Sequence, residues 1–379
     1  MPRSIHPDTK IGTVALTISK LDRELAFYQD VLGFQVHRRA GDTAYLGAGG
    51  PDLLVLTQHP GAELVPGTTG LHHFAILLPS RLALALALRH LGETGTPLKE
   101  SYNHWCSESI YVADPDGHSI EIYRDCPRRE WLFDGTQLRI ASVPLDLEGL
   151  LSELSGRSDE WGGLPPEAMI GHVNLRVANL AEAESFYASV LGFDIIARYE
   201  SQALFVSAGG YHGHVGLNTW DGVDAPPPPS GSIGLRYFDV RLPNTVELDR
   251  VTKQVRDAGV DIIAHLTSYE HVIGDILTTF VGGDPTPSLA LFLESGGQFN
   301  DSEVAVRKDK TVREVVAEYN DTHEQVMSLA ARIPVETFRQ TGTLPWYGME
   351  YALDDFIVYT QYGHKREHSA QIAAFRDHL

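Results

Sequence analysis

The chain has 379 residues, enough for two or three domains, and its 43% hydrophobic and 21% charged content is that of an ordinary globular protein. Thirty Lys and Arg against fifty Asp and Glu leave a formal charge of −20, which argues against a nucleic-acid or anionic-membrane surface. Two cysteines, Cys106 and Cys126, cannot build a disulfide framework, so beside seventeen histidines any metal site is expected to use imidazole and carboxylate rather than thiolate.

The opening, Met1 to Lys10, is polar and lacks the apolar core of a secretory signal, so a cytoplasmic location is expected. Next comes a strand-like alternation, Val14, Leu16 and Ile18, followed by Leu21, Leu25, Tyr28 and Leu32 at helical spacing and a stop at Gly33. The same run recurs 159 residues later, from Ile170 through Gly192, with Val173, Leu175 and Val177 as its alternating residues. Both copies proceed to a small-residue turn, Gly47–Gly50 and Ser207–Gly210, and another apolar strand. A weaker pair, offset by 164, starts at Gly70 and Gly234; each member continues into a helix and a strand ending in Asp-Pro, at 114–115 and 284–285. The stretch Phe74–Leu91 is too interrupted, by Pro79, Ser80, Arg81, Arg89 and His90, to span a membrane.

Four β-α-β-β-β units follow, at about 11–57, 70–124, 169–220 and 233–295. The expected fold is α+β: four βαβββ modules forming two cupped mixed sheets, with a C-terminal α-helical extension. Its parts are modules 1 and 2 at 1–134, a connector at 135–168, modules 3 and 4 at 169–297, and helices over 304–379, near 311–331, 349–361 and 364–378.

Related copies share what folding needs and differ where chemistry was gained or lost. Unit two has His73 where unit four has Tyr237, and Glu121 where unit four has Leu291. Unit three has His172 and His214 where unit one has Thr13 and Leu54. A carboxylate inside the apolar run Ile120-Glu121-Ile122 is costly to bury unless paired or bound to a cation. Two imidazoles and a carboxylate meeting on one sheet face form the facial triad that holds Fe(II) or Mn(II) with positions left open. Taken singly, a strand histidine is more often a hydrogen-bonded core residue, and Asp-Pro-Asp-Gly is a turn; the coincidence of positions carries the signal.

These residues resemble the vicinal oxygen chelate superfamily, over about 1–297, and within it the catechol 2,3-dioxygenase branch with four modules. The family's motif appears as Tyr111-Val-Ala-Asp114-Pro115-Asp-Gly117-His-Ser-Ile-Glu121. The resemblance implies His73, His172 and Glu121 as ligands of one Fe(II) or Mn(II) per site, with His72 as the neighbouring, opposite-facing substitute. It also implies Tyr111 as a substrate contact, His104 as a further catalytic histidine, and His214, in the run Tyr211-His212-Gly213-His214, as the proton-transfer residue. Gly216 stands where a glyoxalase would place a ligand carboxylate, which favours an oxygenase. The implied reaction is extradiol cleavage of catechol or a substituted catechol with O₂, in a homo-oligomer. Rival readings are a glyoxalase-type isomerase or lyase, and a non-catalytic binding or resistance protein. Because the ligands come from units two and three, those units are expected to share one sheet, with one and four paired in a metal-free copy. The tail resembles part of a DinB-like helical domain, with His364 and His368 on one helix face and His323 as a third histidine.

Overall fold

The first repeat folds as its alternation predicts: strand β1 (Lys10–Ile18), helix α1 (Leu21–Ala26), then β2 (Gln35–Ala40), β3 (Thr43–Gly47) and β4 (Asp52–Gln58). The computed structural model describes residues 4–199, 201–284, 287–295, 299–307 and 309–358. The second repeat runs β5 (Gly70–Leu78), α2 (Arg81–Glu93), β6 (Glu100–Asn103), β7 (Ser107–Ala113) and β8 (Ser119–Asp125). The connector adds short strands β9 (Phe133–Asp134), β10 (Gln137–Leu138) and β11 (Val143–Pro144) and helix α3 (Leu147–Leu151). The third repeat is β12 (Met169–Arg176), α4 (Leu180–Glu184), β13 (Asp194–Tyr199), β14 (Ala203–Ser207) and β15 (Val215–Asn218). In both long-matching repeats the helix widens into a π turn, the N–H groups of Leu32 and Leu191 reaching back to the carbonyls of Phe27 and Phe186. Gly33 and Gly192, at φ +77° and +85°, then end it in the left-handed region that glycine tolerates.

Two curled mixed sheets result. The larger has nine strands in the order β11-β6-β7-β8-β5-β12-β15-β14-β13, so repeats two and three do share one sheet. They join through β5 and β12, which are antiparallel, while β5–β8 and β12–β15 are parallel. The smaller sheet has the order β16-β1-β4-β3-β2, where β16 (Gly234–Arg241) is the first strand of repeat four.

Repeat four departs from expectation after that strand. Helix α5 (Thr245–Phe280) runs for 36 residues through the region read as helix, turn and strand, and Leu291, the counterpart of Glu121, lies in helix α6 (Pro287–Ser295) rather than on a strand. Val272, Ile273, Ile276 and Leu277 sit on one helical face and are buried, so their spacing serves a helix core rather than a sheet. The break between compact units accordingly falls between Leu248 and Asp249, not near residue 300.

The second unit, Asp249–Leu379, continues with α7 (Phe299–Arg307), α8 (Val312–Ala330), α9 (Val335–Phe338) and α10 (Leu353–Ile357). Helix α8 starts at a capping box between Thr311 and Glu314. Its core gathers Val272, Ile276, Phe299, Val326, Leu353 and Phe356. His323 lies 3.2 Å from the buried Glu270 carboxylate; His364 and His368 lie outside the described residues. No described helix is long and apolar enough to cross a membrane.

Candidate metal centre

Three neighbouring strands of the nine-stranded sheet bring their side chains to one concave face. Across the antiparallel pair, His172 of β12 lies opposite Ala75 of β5, and Asn174 opposite His73. Across the parallel pair, Glu121 of β8 also lies opposite Ala75. Residues directly opposite share a face, so the small Ala75 side chain is flanked by His172 and Glu121, and His73, two residues along, shares that face.

The three ligand atoms converge. Glu121 Oε2 lies 3.0 Å from His172 Nε2 and 3.1 Å from His73 Nε2, and the two Nε2 atoms are 3.3 Å apart. Adjacent ligands at bond lengths of roughly 2.1 Å around an octahedral ion are separated by about 3.0 Å, so this triangle fits one face of such an ion. Among the described residues, this is the one group of three or more His, Cys, Asp or Glu side chains close enough to hold a metal. His73 and Glu121 are buried. Burial pushes the His73 imidazole down and holds it neutral, against the pull of Glu121. Burial alone would raise the Glu121 carboxyl, but His172 and His73 overcome it and hold it well below the usual carboxylate range. Ser109 Oγ donates to its other oxygen at 2.6 Å. The donor set is thus two imidazoles and one carboxylate, which suits a borderline divalent ion.

A cavity of about 600 Å³ opens over the triad, walled by Tyr102, Ile140, Phe205 and Trp220 among others. Tyr111, opposite Glu121 on β7, sits against the His73 ring at 5.6 Å. His104 lies just past β6, in a turn held by Asn103 Oδ1 accepting from Trp105 N–H. Its Nδ1–H must donate to the Ala141 carbonyl, which leaves Nε2 to accept from the Tyr111 hydroxyl at 3.2 Å. The structure therefore brings His104 and Tyr111 to the same cavity as the three ligand candidates.

His214 is elsewhere. Its Nδ1 accepts from the Ala208 N–H at 3.1 Å, its ring rests against Phe193 and Tyr211, and it does not line the cavity. The expectation of a cavity-facing His214 assumed strand alternation, but β15 begins only at Val215 and the chain before it bends. His212 takes the place instead. It is buried, lines the cavity, and its ring centroid is 6.2 Å from that of His172.

His212 belongs to a network that sequence reading missed. Its Nε2–H donates to Asp125 Oδ1 at 2.8 Å, leaving Nδ1 as the ring's acceptor. Tyr211 also donates to Asp125, at 3.1 Å, and Tyr123 therefore donates to Tyr211 across 2.7 Å. A period-two signal was present: Glu121, Tyr123 and Asp125 alternate along β8, and all three side chains join the networks of this face. Asn174 was missed as well. It accepts from Asn218 at 2.8 Å, and a Cβ on Gly216 would come within 2.8 Å of its Nδ2, so glycine there makes room for an amide, not a ligand.

The family model of the Glyoxalase/Bleomycin resistance protein/Dioxygenase superfamily matches residues 10–122 and 169–273. A catechol-2,3-dioxygenase of Bacillus subtilis (strain 168) is 46% identical over 265 residues, 68% of this chain and 92% of that protein. The glutathione transferase FosA of Serratia marcescens is 28% identical over 115 residues, 30% of this chain and 79% of that protein. Among solved structures, a candidate dioxygenase from Bacillus subtilis subsp. subtilis str. 168 aligns over 66% of this chain and 74% of its own, at 14% identity and TM-score 0.44. Glyoxalase I from Zea mays aligns over 65% and 80%, at 16% identity and TM-score 0.38. The chain belongs to the Glyoxalase/Bleomycin resistance protein/Dioxygenase superfamily, and within it to the extradiol dioxygenases.

Proposed function

We propose that this chain cleaves catechol or a substituted catechol with O₂, using one Fe(II) or Mn(II) held by His73, His172 and Glu121. The observation that carries the reading is the 3.0–3.3 Å triangle of ligand atoms on the cavity wall. A bound ion would supply the Lewis acidity that gathers the diol and O₂ in one place. Two neutral imidazoles and one carboxylate leave a divalent centre positive overall, which favours the deprotonated diol.

The chain's own groups supply the proton chemistry. With Nε2–H committed to Asp125, His212 presents Nδ1 as a base for a substrate hydroxyl, and Asp125 stabilises the imidazolium that forms. The same proton is available for return to the cleaved product. Tyr111, whose hydroxyl donates to His104, keeps an oxygen lone pair beside the ligand set that can accept from a substrate hydroxyl. Aromatic and aliphatic walls, including Ile140 and Phe205, exclude water from the ring. Gly216 and the Asn174 amide leave no fourth protein ligand, which supports ring cleavage over a glyoxalase-type isomerisation.

Anaerobic loading with Fe(II) or Mn(II), followed by catechol and air, tests the reading. O₂ consumption with a yellow ring-fission product is expected; no uptake with catechol or its methylated forms would overturn it. A homo-oligomer and a cytoplasmic location remain part of this proposal, the first read by light scattering and the second by fractionation of the source cells.

A further inference from the structure

The strand that carries His73 contains an irregularity. Along β5, His73 pairs with Asn174 and Leu71 with Leu175, so two steps on β5 match one on β12 and His72 is the extra residue of a bulge. A regular strand would turn His72 and His73 to opposite faces. The bulge brings them together instead: their Nδ1 atoms are 2.9 Å apart, and both side chains line the cavity.

Resting on the metal-site reading above, we infer that His72 is a positioning residue for the metal, accepting the Nδ1–H of His73 and so fixing which nitrogen of His73 faces the ion. Two imidazole nitrogens at 2.9 Å share one proton. His73 Nε2 points at Glu121 and His172, so a His73 that gives its Nε2 lone pair to a cation keeps its proton on Nδ1. That proton goes to His72 Nδ1, and His72 must then carry its own proton on Nε2. The indole of Trp220 meets the His72 ring edge to face, with centroids 5.1 Å apart, and holds the acceptor in place. The second ligand imidazole has no such aid: His172 Nδ1 finds no hydrogen-bond partner among the described residues. Ser109 holds Glu121, and of the two imidazoles only His73 is anchored by a hydrogen bond, through His72.

Mn(II) alone is the probe, its affinity read by competition with a chromophoric chelator on the full chain. His72→Phe keeps an aromatic ring beside Trp220 but offers no acceptor, and should weaken Mn(II) binding by roughly 10–100-fold, the usual loss for an outer hydrogen-bond partner of a ligand. His72→Asn restores a carbonyl acceptor and should return to within a few-fold of wild type. Equal binding by wild type and His72→Phe overturns the inference, and so does equal loss in both variants while metal-free thermal melts stay unchanged. His73→Ala separates the two layers of argument. If it binds Mn(II) as wild type does, the metal-site reading falls, and the role of His72 falls with it.

Discussion

The two sheets share a design down to their irregularities and differ in what sits on them. In the nine-stranded sheet the extra residues of the β5–β12 pairing are Gly171 and His72, each immediately before a ligand candidate. The β1–β16 pairing of the five-stranded sheet carries shifts at the equivalent places, one between Ile11 and Val14 and one at Arg236. The bulges therefore belong to the fold, and the chemistry belongs to the residues placed on and beside them. Where one sheet has His172, the other has Thr13, whose hydroxyl donates to the Asp52 carbonyl and accepts from Arg241. A guanidinium at that point opposes a cation. Among the described residues repeat four has no counterpart of β8, because it turns into α5. The five-stranded sheet thus keeps the bulged register of the nine-stranded one without the candidate ligand residues.

The comparison breaks most sharply at Glu121. Glu121→Ala should cost Mn(II) affinity more than the roughly 10–100-fold typical of outer partners and abolish turnover, read by metal content and O₂ uptake. A variant that retains full metal would mean the nine-stranded sheet is no more a metal site than its partner. The next effect divides two histidines of one turn. His212→Ala should lower kcat by about 10²–10⁴-fold with metal retained, whereas His214→Ala should leave kcat within roughly tenfold; the reverse order would restore His214 as the base.

A third prediction concerns the metal-free side. Glu24 on α1 is buried; burial, with Asp114 and Asp116 adding, pushes its carboxyl up to about 8 against the pull of Arg23. A folded pKa above the unfolded 4.5 means its contribution is complete below 4.5 and is lost as pH rises toward about 8. Stability should fall across that window by at most about 1.4 kcal/mol per pH unit. Glu24→Gln should flatten that decline in denaturant melts, and an unchanged slope would remove Glu24 as its source. The smallest effect is expected from Thr13→His. Placing an imidazole at the position equivalent to His172 should cost about 1–3 kcal/mol by overpacking and add no second Mn(II), since Arg241 and the missing strand remain. A second bound ion per chain would show that the five-stranded sheet lacks one residue only.

Much of this site was legible because strand alternation and the Asp-Pro-Asp-Gly turn are local. His73, Glu121 and His172 stood out by comparing repeats, and the pairing of repeats two and three followed from where those residues lay. His214 misled because its position beside β15 invited an alternation that the bend before Val215 does not obey. His72 was read as opposite-facing for the same reason, the bulge being invisible in composition. Repeat four misled through its opening strand, after which the spacing of Val272, Ile273, Ile276 and Leu277 serves a helix.

What the sequence by itself determined is the repeat, the candidate ligand residues and the strands they stand on, since period-two patterning and short turn motifs need no partner to be read. Tertiary structure decided which imidazole faces the cavity, which proton each ring holds, and where the last repeat stops being a sheet. Those outcomes depend on register shifts and on hydrogen bonds between residues as far apart as His212 and Asp125, 87 positions along the chain. No local pattern records them.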